Sequence, residues 1–153
     1  MTKRRQAREY ALQFLYRIDF VDIAEGGAAH PESIANINEE IAAFWKDSGE
    51  EDPDVRSFTE NIIMGTIRNL GEIDPLLQKV AAKWSLSRMA SIDRNILRFA
   101  TYEILYRHDI PDAVTINESL EIAKKYSTVD SAAFINGILD RIAKEHGPKG
   151  PKA

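Results

Sequence analysis

Three features of the sequence predict an all-α fold. Apolar residues recur at three- and four-residue spacing, no segment alternates β-branched with polar residues, and clusters of Pro, Gly and Asp cut the chain into helix-length pieces. With 153 residues, 44% of them hydrophobic, the chain has the size of one domain and enough apolar mass for a core. The expected organisation is a single all-helical domain over residues 1–146, followed by a disordered basic tail, GPKGPKA, over 147–153.

Seven helices are expected. In the first, Ala7, Tyr10, Ala11, Phe14, Leu15, Ile18 and Val21 share a broad apolar face, and the helix ends before Glu25-Gly26-Gly27. The second covers about 33–45, with Ile34, Ile37, Ile41 and Phe44 inward, and an acidic loop follows over 47–52. Pro53 and Asp54 open the third, which presents Val55, Phe58, Ile62, Ile63, Ile67 and Leu70 and ends near Gly71. Asp74-Pro75 reads as an N-cap followed by proline at the first helical position, starting a fourth helix that contributes Leu76, Leu77, Val80 and Trp84. The fifth, about 91–108, is apolar nearly all round and belongs at the centre. Thr115-Ile116-Asn117-Glu118 reads as a capping box that opens the sixth, and Thr128 or Asp130 caps a seventh that runs to about His146.

Charge is distributed unevenly. The net charge is −4, but residues 1–18 carry five basic and one acidic side chain, whereas 19–60 carry two basic and twelve acidic. Residues 61–153 are mildly basic, with thirteen against eleven. A polyanion is repelled by the middle segment, so any nucleic-acid surface must join the N-terminus to the C-terminal half. The absence of cysteine removes disulfides, thiolate nucleophiles and thiolate metal sites, and a reducing, cytoplasmic setting is expected. No signal peptide or bilayer-spanning run is apparent, so no membrane association is expected.

Catalysis has little support. His30, His108 and His146 lie in different elements without metal-ligand spacing, and no glycine-rich phosphate loop or nucleophile elbow occurs. No cofactor or metal is expected. Glu103 projects onto the buried side of the fifth helix and needs a partner there. Arg94, Arg98 and Thr101 form a polar stripe on that helix, open to solvent or to a partner.

The candidate binding residues lie at the two ends of the chain. Arg5, Arg8, Leu12 and Tyr16 make a ladder on the flank of the first helix, preceded by Lys3 and Arg4. Positive charge threaded with an aromatic ring suits a nucleic-acid strand; the other reading is that the ladder is covered by a neighbouring helix. On the last helix Phe134, Gly137 and Arg141 share a flank and repeat the combination of aromatic and cation.

Two stretches carry a family resemblance. Residues 4–16, R-x-x-A-R-E-x-A-L-Q-x-L-Y, resemble the start of NusB transcription antitermination factors, and residues 94–144 resemble that family's C-terminal half through YEIL, INE, AKKYS and F-I-N-G-I-L in order. The resemblance implies seven helices in two packed three-helix bundles. It further implies a non-enzymatic factor that binds boxA RNA of ribosomal RNA leader transcripts with ribosomal protein NusE, in an antitermination complex on RNA polymerase. The implied RNA-binding residues are Lys3, Arg4, Arg5, Arg8, Tyr16, Asp130 and Phe134, and the implied partner contact is Asp93. An alternative is a homodimeric adaptor that buries the arginine face, with Leu12, Tyr16 and Phe134 as anchors. The basic cluster is short, and Thr115 replaces the small apolar residue usual in the family.

Overall fold

The computed structural model describes residues 2–24 and 31–146, with side chains described for 2–19 and 36–146. The expected end of the first helix at Gly26-Gly27, the inward placement of Val21 and Ile34, His30 and the tail over 147–153 lie outside these residues. Among the described residues there are seven α-helices and no strand: α1 (Lys3–Ala24), α2 (Pro31–Ser48), α3 (Pro53–Arg68), α4 (Leu70–Val80), α5 (Ser91–Tyr106), α6 (Asp112–Tyr126) and α7 (Val129–His146). A short 3₁₀ turn, Leu86–Arg88, precedes α5. The chain forms two compact units, one ending at Gly71 and one beginning at Glu72.

In the first unit α1 and α2 both pack on α3. Ala7 and Ala11 are fully buried and small, which lets α3 approach closely enough for Thr59 Oγ1 to reach the Ala7 carbonyl at 3.2 Å. Phe14, Ile62 and Ile63 fill the space beside them, each fully buried Ile contributing roughly 1.5–3 kcal/mol. Tyr10 and Phe14 each meet Phe44 edge-on, and Tyr10 also meets Trp45 edge-on, joining α1 to α2. α2 ends where Gly49 takes a positive φ of 72° and its N–H returns to the Trp45 carbonyl. Asp52 then caps α3, accepting from the Asp54 N–H at 2.9 Å with Pro53 in the first turn.

In the second unit α5, α6 and α7 pack on one another. Every residue from Asp93 to Ile104 is buried, as expected of a central helix. The polar stripe is buried, with its two arginines in an internal network, and is not a contact surface. Arg94 Nη1 donates to the Leu86 and Met89 carbonyls, and Arg98 forms a two-point bridge to Asp74 at 2.9 and 2.8 Å.

Two expected helix starts are corrected by this network. α4 begins at Leu70, four residues before Asp74, because Asp74 is held by Arg98 and Pro75 is accommodated inside the helix. α6 begins at Asp112, after Pro111; Thr115 lies within the helix, where its buried hydroxyl donates to Glu103 Oε1 at 2.9 Å. The supposed capping threonine is thus a partner of the buried carboxylate.

Candidate nucleic-acid interface

The N-terminal candidates lie in the first unit. The Arg5 N–H donates to Thr2 Oγ1 at 3.1 Å, which fixes the first turn of α1, a turn without acidic residues. Cations there oppose the helix dipole, so this arrangement brings the helix no local stability, whereas an incoming anion is favoured by the dipole. Lys3 is exposed, and its Nζ lies 3.1 Å from Asp52 and 3.2 Å from Asp54. The hydrogen bonds to these carboxylates raise the Lys3 pKa, and the bond from Lys3 holds the Asp52 carboxyl below its ordinary value.

Arg4 is exposed, with its guanidinium 4.6 Å above the Phe58 ring. Arg5 is half-buried. Arg8 departs from the expected ladder: it is only 1% exposed, its guanidinium 5.2 Å from the same ring. Leu12 is also turned inward, at 3% exposure, while Tyr16 remains 40% exposed. The ladder therefore divides into a covered middle, Arg8 and Leu12, and two less covered ends, half-buried Arg5 and exposed Tyr16, with exposed Arg4 just before it. The flank belongs partly to the core because α1 packs along α3 through more than its apolar stripe.

The remaining candidates lie in the second unit. Thr128, not Asp130, caps α7, its Oγ1 accepting from the Ser131 N–H at 2.9 Å. Asp130 stays exposed in the first turn, a placement the dipole favours in any case. One turn later Phe134 is half-buried and meets Trp84 edge-on, with ring centroids 5.7 Å apart. Asp93, expected as a partner contact, is 7% exposed; its Oδ2 accepts from Ser131 Oγ at 2.8 Å, and its Oδ1 is buried without a hydrogen-bond donor among the described residues. Asp93, Asp130 and Phe134 line one groove of about 390 Å³ together with Trp84 and Arg88.

Trp84 was expected among the inward residues of the fourth helix. It lies instead beyond the end of α4 and is 60% exposed. Gln78 holds it there, donating to the Trp84 carbonyl and accepting from the Leu86 N–H, both at 2.8 Å. Two alanines and a lysine between Val80 and Trp84 continue a helical pattern in the sequence, so nothing local marks the break.

Residues 5–144 match the model of the NusB family. The chain belongs to the NusB family. It is 56% identical over 147 residues to the transcription antitermination protein NusB of Thermodesulfovibrio yellowstonii, covering 94% of this chain and 93% of that one. The NusB of Geobacter sulfurreducens is 44% identical, over 98% of this chain and all of its own. The solved structure of T. maritima NusB superposes with a TM-score of 0.78 at 39% identity, covering 97% and 96% of the two chains. A structure of the antitermination factors NusB and NusE in complex with dsRNA shares the fold at a TM-score of 0.76 and 23% identity, covering 94% of this chain and 98% of that one. Seven helices without strands among the described residues are thus the architecture of NusB-family proteins. Among the described residues no cluster of His, Asp and Glu could hold a metal ion, and no helix is long and apolar enough to cross a membrane.

Proposed function

We propose that this protein is a cytoplasmic transcription antitermination factor, without catalytic activity, that binds boxA RNA together with ribosomal protein NusE in an antitermination complex on RNA polymerase. The observation that carries this reading is membership, over residues 5–144, of a family whose relatives are named transcription antitermination proteins. The chemistry of the two candidate surfaces supports it. Lys3, Arg4 and Arg5 would neutralise phosphates, each contact adding a salt-dependent increment to affinity. Tyr16 and Phe134 would stack on unpaired bases. Asp130, which cannot bind phosphate, would accept from a base amino group or a 2′-hydroxyl and so select sequence.

Arg8 enters this scheme differently from its neighbours. Buried against Phe58, it would support the basic turn and not touch RNA directly. For NusE we propose a contact at the groove that Asp93 lines. The homodimeric reading is weakened because Leu12, one of its three anchors, is already covered within the fold.

Fluorescence anisotropy with a boxA RNA and a scrambled strand, each with and without NusE, tests the proposal. Tighter binding of boxA, strengthened by NusE, is expected. Equal binding of both strands, unaffected by NusE, would overturn it.

A further inference from the structure

The Trp84–Phe134 pair separates two grooves of the second unit. One contains Asp93 and Asp130. The other, of about 370 Å³, lies between the segment after α4 and the outer face of α7; it includes Trp84, Phe134, Gly137, Lys83 and Arg141, and no carboxylate lines it.

We infer that this second groove binds one unpaired RNA base, which stacks on the Trp84 indole while Lys83 and Arg141 hold its phosphate. The inference rests on the RNA-binding reading above and extends it to residues that reading does not use. Three observations carry it. An indole 60% exposed leaves aromatic surface open, while its edge-on contact with Phe134 and the Gln78 bond to its backbone hold it in place. Fixing the ring beforehand removes part of the ordering cost of stacking.

Second, the cations of the groove suit a polyanion. Lys83 is exposed, and Arg141 is exposed and anchored, with Nη1 donating to the Val80 carbonyl at 3.2 Å and Nε to Glu145 at 3.2 Å. An apolar peptide would gain little from two cations, whereas a nucleotide uses both the aromatic floor and the basic rim. Third, Gly137 leaves the space open: a Cβ built there meets nothing within 4 Å. Glycine is a poor helix former in the middle of α7, so its presence favours access over helix stability.

This glycine provides a discriminating test. Gly137→Leu should raise the thermal midpoint, because leucine favours the helix, and should lower affinity for single-stranded boxA RNA by filling the groove. Trp84→Ala should weaken the same binding roughly tenfold while leaving its salt dependence unchanged, because stacking releases no counterions. The only other tryptophan, Trp45, is buried in the first unit, so Trp45→Phe isolates the Trp84 emission, which the RNA should quench. If wild-type protein binds the RNA and both Gly137→Leu and Trp84→Ala bind equally well, the groove is overturned and the RNA reading stands. If wild-type protein binds no RNA, both fail. A change in Trp84 emission with NusE alone, and none with RNA, would assign the groove to a protein partner and overturn the inference.

Discussion

Arg4 and Arg8 approach the same Phe58 ring from consecutive turns of α1, one exposed and the other buried. Their substitutions should therefore separate binding from folding. Arg4→Ala should change stability by no more than about 0.5 kcal/mol and reduce the slope of log affinity against log salt by about 0.7 for a single-stranded RNA. Arg8→Ala should lower stability by about 2–3 kcal/mol in urea unfolding, through lost packing as much as lost charge. Lys3 allows a gain of function. Under the proposed function its two carboxylate partners would compete with phosphate, so Asp52→Asn with Asp54→Asn should tighten RNA binding and steepen the salt slope, with the amide retaining the Asp52 cap. The exposure of Arg4 and Tyr16 agrees with their place on the flank of the first helix. The sequence does not reveal that Arg8 and Leu12 are covered, because periodicity finds the centre of a buried face and not the width of the helix packed against it.

At the scale of elements, the buried polar groups of α5 decide where its neighbours begin. Thr115→Val keeps the shape of α6 and removes the hydroxyl donor to buried Glu103, which should cost about 1–3 kcal/mol of stability by calorimetry or urea unfolding. Asp74→Ala leaves the buried Arg98 without its bridge and should cost more, about 3–5 kcal/mol. A further tie joins α4 to α5: Tyr106 donates to Glu72, and partial burial together with this bond pushes the Tyr106 phenol up to about 12. Because the folded value lies above the ordinary 10.0, this stabilisation is fully present below pH 10 and is lost as pH rises towards 12. Tyr106→Phe should flatten the alkaline fall in stability over that window. The centrality of α5 is legible from its apolar composition, and so is the need of Glu103 for a partner. The starts of α4 and α6 are not, since Asp74-Pro75 and Thr115 to Glu118 carry valid local capping patterns that lose to tertiary contacts with Arg98 and Glu103. Trp84 escapes notice for a related reason: the Gln78 clamp that ends the helical path is formed by a side chain six residues away.

Across the whole molecule, the distribution of charge and the helical periodicity give the fold class and direct attention to the two ends of the chain, while the pairing of Phe134 with Trp84 emerges only in three dimensions. The proposed function places RNA contacts on the basic turn of α1 and, within the second unit, on the start of α7. Backbone amide shifts during titration of ¹⁵N-labelled protein with boxA RNA test this most directly. Perturbations are expected at Lys3, Arg4, Arg5 and Tyr16 and also at Asp130 and Phe134. Perturbations confined to one of these groups would contradict it.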